Sequence, residues 1–282
     1  MRHAECVAFL HWAMPRLGLE WAGFEHCHRQ VCKRLDRRMA DLGLASFAAY
    51  RDYALDHDTE WEAIDACCRV TVSRFYRDRD FFDKLASEVL PRLAAEADAR
   101  GGTKVRAWSA GCGAGEEPYS LALAWRFVTA PRFPRLGFDI VATDIDEVQL
   151  TRARAGCYRP SAFRELPADW AEAAFVSSGP LRCLRPDYGA GVEFLRQDIR
   201  ADAPKGPFDL ILCRNLAFTY FDDAQQREVL AVILRELAPG GFLAVGRRER
   251  LPAEAQGVSS WSPDLRIFAK APSVPPQARL AG

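Results

Sequence analysis

Residues 104–128 read KVRAWSAGCGAGEEPYSLALAWRFV. Lys104 to Ser109 is a short, mostly apolar run bounded by the breaker Gly101-Gly102 on one side and glycines on the other, which is the pattern of a buried strand. EEPYSLALAWRFV after the glycines reads as a helix. The spacing of Gly111, Gly113 and Gly115 is G-x-G-x-G, not the G-x-G-x-x-G of dinucleotide sites. Glycines in such a turn accept positive φ and let a ligand approach the backbone closely. A helix N-terminus behind a glycine turn ordinarily favours an anionic phosphate. This helix begins with Glu116 and Glu117, which repel a pyrophosphate and suit a ligand with a cationic end, such as the ammonium and sulfonium of S-adenosylmethionine. Taken alone, the loop also admits the reading of a tight strand–helix turn without a ligand.

The same alternation continues downstream. FDIVAT (Phe138 to Thr143) is a second strand ending in Asp-Ile-Asp, with a helix from Glu147 to Ala155. VEFL (Val192 to Leu195) is a third, ending near Asp198, and FDLILC (Phe208 to Cys213) a fourth. The helix DDAQQREVLAVILRELA follows, with Asp222 or Asp223 as N-cap, and FLAVG after Pro239-Gly240-Gly241 is a fifth strand. Strand–helix alternation at this spacing predicts a mostly parallel sheet covered on both faces. Ligands bind at the carboxyl ends of such strands. Asp144 at the end of the second strand is placed to accept ribose hydroxyls, while Asp146 fits the N-cap of the next helix. Asp198 at the end of the third either accepts the adenine amine or closes a turn.

Upstream the signals are helical. Val31, Leu35, Met39 and Leu42 give VCKRLDRRMADL one apolar face, with Lys33, Arg34, Arg37 and Arg38 over the rest and Gly43 as a stop. Helices are expected through SFAAYRDYALDH, through TEWEAIDACCRV and from Asp80 to Ala97. The chain has 282 residues, 49% hydrophobic, with 38 basic and 38 acidic side chains, so no global charge draws it to nucleic acid or membrane. The nine cysteines are scattered without a Cys-x-x-Cys pair, which predicts reduced, mostly buried thiols in a cytoplasmic protein and no zinc site or disulfide framework. All five histidines lie at or before His57. This disfavours histidine-base chemistry in the strand–helix region, and His26 and His28 read as surface residues. No stretch reaches membrane-spanning length.

WSAGCGAGEEPYSLALAW, ATDID, GPFDLILCRN and the following YFD, together with VTVSRFYRDRDFF and KRLDRR, resemble the CheR family of chemotaxis receptor methyltransferases. The resemblance covers roughly residues 25–250. It implies an α/β, Rossmann-like class I methyltransferase sheet with a small all-α N-terminal domain. The expected domains are residues 1–97, helical; 103–271, S-adenosylmethionine-binding; and 272–282, a disordered tail. The cofactor would be S-adenosylmethionine, leaving as S-adenosylhomocysteine, with no metal. Carried over by motif, the cofactor residues are Thr71, Ser73, Arg77, Gly111, Glu117, Asp144, Asp198 with Ile199 beside it, and Asn215 with Leu216. Arg77 and Tyr220 stand near the reacting centre, and Glu249 matches the last residue of the family's Gly-His-Ser-Glu. Three departures stand out. CRNLAFTYFD has one extra residue before Tyr220, GRRERL replaces Gly-His-Ser-Glu, and the stretch 176–191 is short where the family builds a small β-subdomain. The basic helix (Lys33, Arg34, Arg37, Arg38) would meet an acidic helical region of a receptor. A cytoplasmic monomer that neither inserts in membranes nor binds nucleic acid is expected.

The chemistry agrees. A glutamate with pKa of about 4.3 is already an anion at neutral pH and needs no general base to displace a methyl group from sulfur. It needs alignment and loss of water. Arg77 would orient the acceptor carboxylate, unless it pairs with Asp78 or Asp80. Phe75, Tyr76, Phe81 and Phe82 read as packing between the domains. Two other readings stay open: an O-methyltransferase for a small molecule, and a non-catalytic S-adenosylmethionine-binding module.

Overall fold

A computed structural model describes residues 2–71, 73–253 and 255–272. The chain divides into two compact units, Met1–Val72 with Ala217–Arg227, and Ser73–Leu216 with Glu228–Gly282. The division falls at residue 72, not 97, because the helices Arg79–Lys84 and Leu90–Ala99, joined by a π-helical turn, bury Phe81, Phe82, Leu90 and Leu93 in the core of the second unit. Phe75 and Tyr76 lie in that same core, so the four aromatics expected between domains are internal to one unit. Residues 273–282, expected to be disordered, lie outside the described residues.

The first unit is helical: Arg2–Ala13, His28–Asp41, Phe47–Asp56 and Glu60–Cys68. Val31, Leu35 and Met39 are buried, as their spacing requires. Ser46 caps its helix by accepting from Ala49 N at 3.2 Å. Glu60 is 3% exposed; Arg38 binds it bidentately at 2.9 and 2.6 Å, and Tyr50 Oη donates to it at 2.7 Å. Burial works to raise the Glu60 pKa, but these bonds outweigh it and hold the carboxyl below its ordinary value. Arg34 donates to the Cys67 and Arg69 carbonyls at the end of Glu60–Cys68. Two of the four expected docking cations are therefore engaged inside the unit, and Lys33 and Arg37 remain exposed with Arg29 at helical spacing. The stretch 217–227 belongs here too. Glu20 N donates to Tyr220 O at 2.9 Å, the Tyr220 ring lies 4.9 Å from Phe24, and a Cβ at Gly23 would fall 2.1 Å from Thr219 O.

In the second unit the strands β1 (Lys104–Ala110), β2 (Gly137–Asp144), β3 (Cys157–Tyr158), β4 (Phe175–Ser178), β5 (Leu181–Leu184), β6 (Val192–Arg196), β7 (Phe208–Cys213), β8 (Leu237–Val245), β9 (Val258–Ser262) and β10 (Ile267–Lys270) form two sheets. The larger has the order β6-β2-β1-β7-β8-β10-β9. Its first five strands are parallel, and β10 and β9 add antiparallel at one edge. The parallel strands are near-continuous apolar runs because helices cover both faces. β2 and β7 flank β1 on opposite sides, so the strand order reverses at β1 and the glycine turn sits at the switch point of the sheet. The smaller sheet, β3-β5-β4, occupies the region of the short β-subdomain.

The expectation of reduced cysteines is corrected. Cys157 stands directly opposite Cys183 across β3 and β5, and the two form a disulfide; Cys6 and Cys32 form another. Both pairs are separated by 26 residues, so only the fold brings them together. Cys27, Cys67, Cys68, Cys112 and Cys213 are in no disulfide. No helix among the described residues is long and apolar enough to cross a membrane.

Candidate active site

The turn after β1 carries Gly111, Gly113 and Gly115 at φ of 71°, 55° and 93°, values that L side chains adopt only with strain. Gly111 N and Cys112 N both donate to Thr143 O, at 2.8 and 3.0 Å, tying the turn to the end of β2. Asp144 then closes it. Its Oδ2 accepts from Gly113 N at 2.8 Å and its Oδ1 from Asp146 N at 2.9 Å. A Cβ at Gly111 would come within 2.6 Å of Leu216 Cδ2, whereas one at Gly113 would enter open space. The turn is thus packed on one side and leaves a backbone cradle on the other. Asp146 caps the next helix by accepting from Val148 N and Gln149 N.

The two glutamates after the turn have different surroundings. Glu117 is held at the sheet end, Ser109 Oγ donating to it at 2.8 Å and Arg214 Nη1 at 3.2 Å. Glu116 is 5% exposed; Ser73 hydrogen-bonds it, but its Oε2 is buried without a partner. Burial accordingly pushes its carboxyl above the ordinary range, the backbone bond, Arg152 and Ser73 opposing. Cys112, in the middle of the turn, has its thiol pushed well up by burial first and by Asp144 and Glu117 next, which makes it a poor nucleophile.

Arg214 ties the end of β7 to Glu117 after the glycine turn and to the segment Arg77-Asp78. Its side chain is 2% exposed. Nη2 donates to Asp78 Oδ2 at 2.5 Å and to Arg77 O at 3.4 Å, Nη1 reaches Glu117, and the guanidinium lies 3.9 Å from the Phe81 ring centre. Tyr76, Asp78 and Asn215 all have positive φ without being glycine. Strain of this kind persists only where the surroundings over-determine the backbone, and it gathers at binding sites. The turn at Asn215 is locked from behind by Glu249, 2% exposed, whose carboxylate accepts from Asn215 N at 2.8 Å, from Leu216 N at 3.1 Å and from Gly246 N.

The second unit therefore gathers Ser73, Arg77, Gly111, Glu117, Asp144, Asn215 and Leu216 around the ends of β1, β2 and β7. Asp78 and Asp80 pair with Arg214 and Arg247. Asp198 stands after β6 with both oxygens bound by Arg200 at 2.8–3.0 Å, which makes it a turn aspartate as well as a candidate, and Ile199 beside it is buried. Thr71 and Tyr220 belong to the first unit. Sequence reasoning missed Arg214 and Ser109. The signal for Arg214 was a lone arginine directly after the apolar run FDLILC, where the next residue leaves a buried strand. Among the described residues no cluster of three or more potential metal ligands is found.

S-Adenosylmethionine fits this cradle on the residues' own chemistry. Asp78 and Glu117 both bind the buried Arg214, and Asp144 closes the turn beside them, a grouping of carboxylates that opposes a pyrophosphate and favours a sulfonium. Comparison with known proteins agrees. The sequence profile described as "CheR methyltransferase, SAM binding domain" matches residues 71–264. A chemotaxis protein methyltransferase of Listeria monocytogenes is 37% identical over 182 residues, 64% of this chain and 66% of that protein. One from Escherichia coli K12 is 34% identical over 235 residues, 80% of this chain and 77% of that protein. A 104.1 kDa uncharacterized protein of Rhodobacter capsulatus is 31% identical over 84% of this chain, which spans only 25% of its length. With more than half of its length matched by that profile and the glycine turn, its acidic neighbours and the Arg214-Asn215 turn brought together at one sheet edge, the chain belongs to the CheR methyltransferase family.

Proposed function

We propose that the protein transfers a methyl group from S-adenosylmethionine to a carboxylate, namely a glutamate side chain of a chemoreceptor or related signalling protein. The observation that carries this reading is the closure of the glycine turn by Asp144, which leaves a carboxylate and an open backbone cradle side by side. S-Adenosylmethionine supplies a methyl group already activated by the positive charge on sulfur. Asp144 accepts from the ribose hydroxyls. Gly111 and Gly113 admit the cofactor against the backbone, and Glu117 faces its cationic end. Leu216 packs on the turn, and Asn215 is held by Glu249 to hydrogen-bond the cofactor. Arg77 orients the acceptor carboxylate, and Tyr220 is assigned to the acceptor as well. No proton has to leave a carboxylate acceptor, so alignment and exclusion of water supply the barrier reduction.

The receptor side is an acidic helical region approached by Lys33 and Arg37, with Arg29 completing the stripe in place of the engaged Arg34 and Arg38. Such an association is screened by salt. The protein works in the cytoplasm, where this acceptor face of a receptor lies. Calorimetry with S-adenosylmethionine and S-adenosylhomocysteine tests the cofactor site, with an expected Kd of roughly 1–100 μM and strong weakening in Asp144→Ala. Unchanged affinity in that variant removes Asp144 from the site. For the acceptor, base-labile methyl label in a receptor-containing membrane fraction supports the reading, and label confined to soluble metabolites overturns it.

A further inference from the structure

β8 ends at Val245, and the chain turns through Gly246-Arg247-Arg248-Glu249-Arg250. Only Glu249 points inward, and three backbone N–H groups hold its carboxylate against the Asn215-Leu216 turn. The room behind it is exhausted, since a Cβ at Gly246 would lie 2.6 Å from Glu249 Oε2 and 2.7 Å from Asn215 Nδ2. Arg247, Arg248 and Arg250 are exposed in consequence. Three guanidinium groups thus stand on a turn clamped directly to the candidate site.

A groove of about 680 Å3 continues from this turn, lined by Asp80, Lys84, Arg247, Asp264 and Arg266 among others. Arg247 pairs with Asp80 at 3.0 Å and Lys84 with Glu88 at 2.6 Å. Arg248, Arg250 and Arg266 have no partner among the described residues, and Asp264 is the one unpaired acid of the groove. In a chain of zero formal net charge, this is a local basic edge on which Arg248, Arg250 and Arg266 are left for a partner.

We infer that this turn and groove form an acceptor-recognition surface that takes an acidic polypeptide segment flanking the residue to be methylated. The inference rests on the methyltransferase reading of the adjoining cradle. Free cations spread along a turn and an open groove match carboxylates spaced along a chain, not one small acid. The adjoining cradle is read as methylating a carboxylate on a polypeptide, so the segment seated here is polypeptide, and nucleic acid is an outcome of the test. The turn specifies its partner through charge and sets the acceptor's register against Asn215.

The test is fluorescence anisotropy with a labelled glutamate-rich helical peptide, run on the full-length protein beside calorimetry with S-adenosylhomocysteine. Arg248→Glu with Arg250→Glu should weaken peptide binding about tenfold or more and flatten its salt dependence, and the Arg248→Gln, Arg250→Gln variant should lie between. S-Adenosylhomocysteine affinity should stay unchanged in both, which also shows that the variants are folded. Equal peptide affinity in wild type and variants overturns the inference, as does equally tight binding of a peptide with glutamine at every glutamate, or displacement of the peptide by a single-stranded oligonucleotide. Failure of the wild type to bind S-adenosylhomocysteine refutes the methyltransferase reading separately.

Discussion

Replacing Arg214 by methionine removes the one buried cation shared by Asp78 and Glu117. The Arg214 side chain is 2% exposed, and the two carboxylates retain 25% and 15% of theirs, so water restores little of the lost interaction. Leaving a buried charge without its partner costs about 3–5 kcal/mol. Glu117 keeps its bond from Ser109 Oγ, which places the loss at the lower end, about 3 kcal/mol. Methionine retains most of the apolar contact with Phe81. For the second unit this predicts a fall in Tm of roughly 6–12 °C, read by thermal unfolding. Arg92→Met is the control, because the Arg92–Glu96 pair is half exposed and its loss should cost less than about 1 kcal/mol. Asp78→Asn completes a double-mutant cycle with an expected coupling of about 1–3 kcal/mol. Since Arg214 also positions Glu117, affinity for S-adenosylhomocysteine should drop in Arg214→Met and partly return in Arg214→Lys. A Tm change no larger than in Arg92→Met, or a coupling near zero, refutes the role given to Arg214.

Further outcomes are expected. Gly111→Ala and Gly43→Ala share a φ near 70° and the same backbone strain of about 1–2 kcal/mol, but only Gly111 faces Leu216 at 2.6 Å, so only Gly111→Ala should weaken cofactor binding in a titration. Glu116 has a carboxyl pKa raised above 4.5, so folding favours its neutral form; that contribution is full below the unfolded pKa and lost as pH rises through the folded one. Glu116→Gln should therefore raise Tm at neutral pH, with the gain vanishing below pH 4.5. Glu60 has the opposite sign: its stabilisation is present above the unfolded value of 4.5 and lost as pH falls through the lowered folded pKa, so Glu60→Gln should destabilise at neutral pH and not in strong acid. Arg77→Ala and Tyr220→Phe should lower turnover more than cofactor affinity, and equal losses would move either residue to the cofactor.

Much of the candidate site was legible because it is local. The positive-φ turn needs glycines, the strand before it needs an apolar run, and the helix after it announces its charge in Glu116-Glu117. Asp146 follows a strand by a fixed offset, so its helix cap was readable before the fold was known, whereas the bond by which Asp144 closes the glycine turn came only with the fold. Other features depend on distant segments. FDLILC predicts a buried strand but says nothing of what the next residue meets, and Arg214 owes its role to Asp78 and Glu117, far away in the chain. The helix 28–41 displays five cations to any reader of the sequence, yet Glu60 and the Cys67 and Arg69 carbonyls engage two of them.

The sequence by itself determined the five parallel strands and the helices between them, the glycine turn and the sign of the charge around it, since these follow from periodicity and from residues a few positions apart. Only the tertiary structure decided which cysteines pair, how the hairpin β9–β10 extends the sheet, and which arginines are left for a partner. Each of those depends on two groups meeting across a long loop of chain, an event that packing selects and that no local pattern encodes.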